Sequence, residues 1–295
     1  MTTSSPSTPG RIAAGTRMGT VRLTVSDLGR SRAFYEESLG LGARPLADGE
    51  IGLGVGDERA LVALREDRSA TPRDPRATGL FHLAVLLPSR LDLAHALRRL
   101  AESRWPLDGA SDHLVSEALY LSDPDGNGIE IYRDRPREEW THGEIGPEMA
   151  TLPLDLRSLA DELETATGPQ PEAPAQTTIG HVHLQVAELR EIERFYAELL
   201  GFDVTVRGYP GALFVSAGGY HHHLGLNTWH SAGSTAPAQG SLGLRSYEIL
   251  LPDEDELGRV TARLASAGIS AEPDAEPGGH LVRDPSGNTA LLRAA

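Results

Sequence analysis

Two stretches of this chain repeat each other at one fixed spacing, which constrains the fold more than any other feature. VRLTVSDLGRSRAFYEESLGL begins at Val21 and VHLQVAELREIERFYAELLGF at Val182; further on, LYLSDPDGNGIEIY from Leu119 recurs as HLVRDPSGNTALLR from His280. Val21 and Val182 are 161 residues apart, and so are Asp123 and Asp284. A shared offset means that a whole unit was duplicated. The copies differ in their chemistry. His181 stands where the first copy has Thr20, and Glu130 where the second has Leu291.

Within each copy the pattern reads strand, helix, then two or three strands, so four modules are expected. In the first, Val21, Leu23 and Val25 alternate as in a half-buried strand. Asp27 is placed to cap a helix that runs through Phe34 and Leu39 and ends at Gly40. The second opens with GLFHLAVLLP, continues through the helix LDLAHALRRLAES, and closes in strands around a DPDGN turn whose residues tolerate tight backbone angles. The third spans Gly180 to about Trp229, and the fourth runs from about Ser241 to the end. One such unit cannot close a core alone, whereas two together can curve a sheet around a cavity.

The expected boundaries are a disordered lead over 1–17, an N-terminal domain over 18–135 and a C-terminal domain over 179–295. Between the domains lies a linker over 136–178, with a short amphipathic helix through Leu152, Leu154, Leu156, Leu159 and Leu163.

Composition narrows the function. With 295 residues, 39% of them hydrophobic and 23% charged, the chain suits a soluble globular protein of two domains. A net charge of −15 disfavours nucleic acid and anionic membrane surfaces, which need a cationic face. No run approaches the ~18–20 apolar residues of a membrane span, and the N-terminus lacks the apolar centre of a signal peptide, so a cytoplasmic location is expected. There is no cysteine, so a metal would have to be held by His, Asp, Glu or water.

His82 and His181 fall at corresponding places on the opening strands of two different modules, and Glu130 lies on the strand expected to pair near His82. Singly, each has an ordinary structural explanation. Together, two neutral imidazoles and one carboxylate would leave a divalent ion with free coordination positions. His183 should share a face with His181 by strand alternation. In GGYHHHLGLNTWH, read as strand, His221 and His223 would face one side and His222 the other. An imidazole facing the cavity suits proton transfer near neutral pH. Tyr120, ten residues before Glu130 across the turn, would lie beside that carboxylate, or else pack against the sheet. His113, Asn227, Trp229 and Tyr209 are candidate substrate contacts.

On FHLAVLLPSR, SDHLVSEALYLSDPDGNGIEIYRDRPR, IGHVHLQV and ALFVSAGGYHHHLGLNTW, the chain closely resembles the vicinal oxygen chelate superfamily. Within it, the resemblance is to bacterial two-domain catechol 2,3-dioxygenases. The likeness runs from about Gly19 to Leu292. It implies an α+β fold of four βαβββ modules forming two half-barrel cavities. It further implies His82, Glu130 and His181 as ligands of Fe(II), with Mn(II) as the alternative ion, and O₂ as co-substrate. His222 then matches the histidine that moves protons, and Tyr120 the tyrosine that hydrogen-bonds the substrate. The implied reaction is extradiol cleavage of a catechol, a small aromatic diol, to a 2-hydroxymuconic semialdehyde.

In the better-known extradiol enzymes all three ligands come from the last two modules, where this chain has Ser246 and Leu291. The expectation is therefore that modules two and three share the functional cavity, while one and four enclose an empty one. Rival readings on the same fold are a glyoxalase-like isomerase, a metal-dependent thiol transferase and a non-enzymatic drug-binding protein. Association into a homo-oligomer is left open.

Overall fold

The computed structural model describes residues 10–295 apart from 57–59, 167, 169 and 275–277. Alternation does what it should: Val21, Leu23 and Val25 are wholly buried on β1 (Arg17–Val25). The chain then turns into α1 (Leu28–Glu37), whose first turn is capped by the Asp27 carboxylate accepting from the Arg30 amide. β2 (Gly42–Pro45), β3 (Ile51–Gly54) and β4 (Val62–Glu66) complete module one. Module two follows as β5 (Gly79–Leu87), α2 (Arg90–Glu102), β6 (Gly109–Asp112), β7 (Ser116–Ser122) and β8 (Gly128–Asp134).

A connecting segment carries β9 (Leu152–Pro153) and α3 (Leu156–Asp161). Module three comprises β10 (Thr178–Gln185), α4 (Leu189–Glu193) continued by a π-helical turn, β11 (Asp203–Val206), β12 (Ala212–Ser216) and β13 (Leu224–Asn227). Module four comprises β14 (Gly243–Leu251), α5 (Glu254–Ser266), β15 (Glu272–Pro273), β16 (Gly279–Arg283) and β17 (Thr289–Ala294). Every module is thus βαβββ, its first and last strands parallel neighbours.

The modules pair as the ligand pattern implies. One sheet runs β15-β16-β17-β14-β1-β4-β3-β2, joining modules four and one; the other runs β11-β12-β13-β10-β5-β8-β7-β6-β9, joining three and two. Antiparallel pairs, β1 with β14 and β10 with β5, make each junction. An apolar cluster through both sheets and their helices fixes the inner and outer faces. Among the described residues no helix is long and apolar enough to cross a membrane.

Two local expectations are corrected. The segment around Leu152 is not one amphipathic helix: Leu152 is exposed on β9, which adds to the edge of β6, and the helix begins only at Leu156. Pro153 has no amide hydrogen to continue a helix, so an edge-strand position suits it. The lead is also partly ordered. Residues 1–9 lie outside the described ones, but Ile12 is buried and its amide donates to the Gly201 carbonyl at 2.8 Å. The Ala13 amide also donates to Oε1 of Glu256 at 2.8 Å, so the segment is tied down on both sides of the Ile12 side chain.

Candidate metal centre and its cavity

Strand register assembles the site. Ala84 of β5 lies opposite His181 of β10 on one side and opposite Glu130 of β8 on the other. His82 sits two residues before Ala84 and therefore on the same face. The three side chains thus surround a small one, which packs against Ala118 and Tyr132. Nε2 of His82 lies 3.3 Å from Nε2 of His181, and Oε2 of Glu130 lies 3.0 Å from the first and 3.2 Å from the second. All three residues are buried.

Electrostatics favours an ionised Glu130 and an uncharged His181. Burial alone would raise the Glu130 carboxyl, but the imidazoles, His181 foremost, outweigh it and hold the group well below the usual carboxylate range. Burial pushes His181 down to about 4 against the opposing pull of Glu130. A carboxylate and a neutral imidazole are what a cation requires. The spacing fits as well. Donors ~2.1 Å from one ion at right angles to each other stand ~3 Å apart, the separation seen here for all three pairs.

Above the cluster lies a cavity of about 250 Å³ lined by Phe81, Tyr120, Phe214, His183, His222 and other residues. Tyr120 faces Glu130 directly across β7 and β8. Its hydroxyl is 2.6 Å from Nε2 of His113, whose Nδ1 lies 2.7 Å from the Ala150 carbonyl. Since a carbonyl only accepts, Nδ1 of His113 carries the proton, Nε2 accepts, and the Tyr120 hydroxyl donates to it. The Glu130 carboxylate is a second hydrogen-bond partner of the same hydroxyl, and Tyr120 lines the cavity. Burial, then the Glu130 charge, raises the phenol well above 10, so it keeps its proton.

His183 pairs with His82 across β10 and β5 and lines the cavity, and its buried Nε2 has no hydrogen-bond partner among the described residues. Its ring lies against Gly225, where a Cβ would come within 2.8 Å of it. Trp229 and Tyr209, 40% and 36% exposed, stand at the cavity rim.

The YHHH segment departs from the expected alternation because only Leu224–Asn227 is strand. Its imidazoles point three ways. The ring of His222 lines the cavity, tilted 50° to that of His181 with the ring centroids 4.1 Å apart. His221 bonds Asp134 at 2.8 Å, and Nδ1 of His223 accepts from the Ala217 amide at 3.1 Å. Asn227 is a further correction. It is fully buried and outside the cavity wall, where its Oδ1 accepts from the Trp229 amide at 3.2 Å.

Sequence reasoning missed Phe81 and Phe214, which read as ordinary core aromatics, and Met149, Ala150 and Thr151, whose linker segment lines the cavity. For the linker no periodic signal existed. For Phe81, its place directly before His82 was a usable clue.

The other sheet carries no such cluster at the equivalent position among its described residues. Buried Glu248 instead accepts from the Thr20 amide and pairs with Arg293, which also meets Asp274.

Comparison with known proteins agrees with this architecture. The model of the Glyoxalase/Bleomycin resistance protein/Dioxygenase superfamily matches residues 17–131 and 178–292. The chain belongs to that superfamily. Among curated members it is similar to the catechol-2,3-dioxygenase of Bacillus subtilis (strain 168), 44% identical over 263 residues covering 87% of this chain and 90% of that protein. Among solved superfamily folds it resembles a putative dioxygenase from Bacillus subtilis, with a TM-score of 0.62 at 14% identity, covering 96% of this chain and 86% of that one. Glyoxalase I from Zea mays follows, with a TM-score of 0.57 at 18% identity, covering 95% and 92%.

Proposed function

We propose that this protein is an extradiol dioxygenase that opens the ring of a catechol, with O₂ as co-substrate and a 2-hydroxymuconic semialdehyde as product. The observation that carries the reading is the buried His82, His181 and Glu130 donor set beneath a small aromatic-walled cavity. The 44% identity to a catechol-2,3-dioxygenase supports the reaction class.

His82, His181 and Glu130 would hold Fe(II), Mn(II) being the other ion that this donor set suits. When bound, the ion supplies Lewis-acid and one-electron chemistry with positions open to a diol and O₂. The chain's own residues do the rest. Phe81, Phe214 and Trp229 offer apolar faces to a planar ring. The Tyr120 hydroxyl, between His113 and Glu130 on the cavity wall, is placed to hydrogen-bond a substrate hydroxyl. His222 takes and returns a proton at the substrate oxygen; burial, reinforced by the surrounding imidazoles, pushes its pKa well below 6.5, so it starts neutral. The unpartnered Nε2 of His183 offers a further polar contact to whatever fills the cavity.

Glu130 is the lone carboxylate lining the cavity among the described residues. A glyoxalase-like isomerase, which wants a second glutamate, is therefore less well served.

Anaerobic loading with Fe(II), followed by catechol and air, tests the proposal. The expected result is one iron per chain and a yellow ring-opened product. Iron retention with no colour from catechol or its alkyl derivatives would overturn it.

A further inference from the structure

His222 is held from behind by a chain of polar groups that leads away from the donor cluster. Its Nδ1 lies 2.8 Å from Nδ1 of His221, and Nε2 of His221 lies 2.8 Å from Oδ1 of Asp134. The same carboxylate oxygen accepts from the Tyr220 hydroxyl at 3.2 Å, which in turn lies 2.7 Å from the hydroxyl of Tyr132. His221 is wholly buried, while the Asp134 side chain is 25% exposed and forms the outer end of the chain. Asp134 and Tyr132 alternate with Glu130 along β8, so one strand face carries both the donor and this anchor.

With His221 taken as uncharged, the polarity of this chain follows from what each group can give. A carboxylate has only lone pairs, so Nε2 of His221 must carry the proton it shares with Asp134. A neutral imidazole protonated there has a bare Nδ1, which can only accept. Nδ1 of His222 must then be the donor, and its Nε2 is left bare. Nε2 has no hydrogen-bond partner among the described residues, and the ring lines the cavity. The tyrosines run in the same sense: Tyr220 donates to Asp134, so Tyr132 donates to Tyr220.

We propose that Asp134 and His221 are positioning residues that lock His222 in the Nδ1–H tautomer, so that an Nε2 lone pair rather than an N–H faces the substrate. The identity of that substrate, a diol, rests on the function proposed above; the tautomer does not. In the transfer, the O–H bond of the diol breaks, its electron pair stays on the oxygen, and the proton joins Nε2 while His221 keeps hold of Nδ1–H.

Nitrogen-15 NMR of the histidine-labelled full chain, metal-free and loaded with diamagnetic Zn(II), tests this. Wild-type His222 is expected protonated at Nδ1 and bare at Nε2. Asp134→Asn places there an amide that donates as well as accepts. It should bring out the Nε2–H form and lower kcat for catechol by roughly 10–100-fold, with KM changed less than about 3-fold. Asp134→Glu, which restores a carboxylate, should keep the wild-type tautomer. An Nε2–H tautomer in the wild type, an unchanged tautomer in Asp134→Asn, or a changed tautomer with unchanged kcat would each overturn the proposal. A wild-type protein that cleaves no catechol would sink the catechol reading alone, since the wild-type NMR decides the tautomer independently.

Discussion

Ala84 is the residue around which strand register arranges the cluster. It lies opposite both His181 and Glu130, one step from His82 on the same face, and is fully buried. A larger side chain there would crowd Ala118 and Tyr132, on which Ala84 packs, and the donor residues beside it. Ala84→Leu is expected to fold, overpacking costing about 1–3 kcal/mol, yet to lose its metal. Plasma mass spectrometry should find below about 0.1 Fe per chain, and near-stoichiometric iron would mean that the ion sits elsewhere. Glu130→Gln is the complementary test, keeping the shape while removing the charge that pairs with both imidazoles. Charge-assisted contacts of this kind are worth roughly twice neutral ones, so iron affinity should fall by at least about 100-fold in a chelator-competition titration. Unaltered affinity would show that the carboxylate does not ligate.

At the scale of elements, the two copies kept their joints and diverged in their sites. Asp123 accepts from the amides of Asp125 and Asn127 and from the Tyr35 hydroxyl at 3.2 Å; Asp284 accepts from Ser286, Asn288 and the Tyr196 hydroxyl at 3.0 Å. Each tyrosine rides on the helix of one module while its aspartate lies in the last turn of the next, so each bond ties one sheet to the other. Asp123→Ala and Asp284→Ala should therefore cost similar amounts, about 2–3 kcal/mol each by urea denaturation, because each strands several buried donors. Costs differing by more than about 2 kcal/mol would mean that the joints are not equivalent.

This same duplication explains what was legible. A fixed offset exposed the modules, and the places where it broke (Thr20 against His181, Leu291 against Glu130) pointed to the residues that now cluster. The connecting segment had no second copy to compare, so the cavity wall from Met149 to Thr151 was invisible. The YHHH run was misread because alternation was assumed where the backbone turns, and Asn227, a candidate contact, lies buried outside the cavity wall.

The whole molecule stores its site as an island of imidazoles that must stay uncharged. Burial pushes His181 to about 4 and His223 to about 3, and pushes His183 and His222 well below the ordinary 6.5. As pH falls through about 6.5, the unfolded chain takes up protons on these rings, while the fold refuses them on His181 until about 4, on His223 until about 3, and resists them on His183 and His222 too. Acid therefore favours the unfolded state across that window. Glu130 acts in the same direction at lower pH: held below its ordinary 4.5, it contributes stability that disappears as the carboxyl protonates. The metal-free protein should thus lose more than about 5 °C of melting temperature between about pH 7.5 and pH 5. His222→Gln, which removes one refused proton, should shrink that drop. A flat profile by calorimetry across the same range would mean that the fold admits protons to these rings as readily as water does, and the site would then not be held in its ligating state by burial.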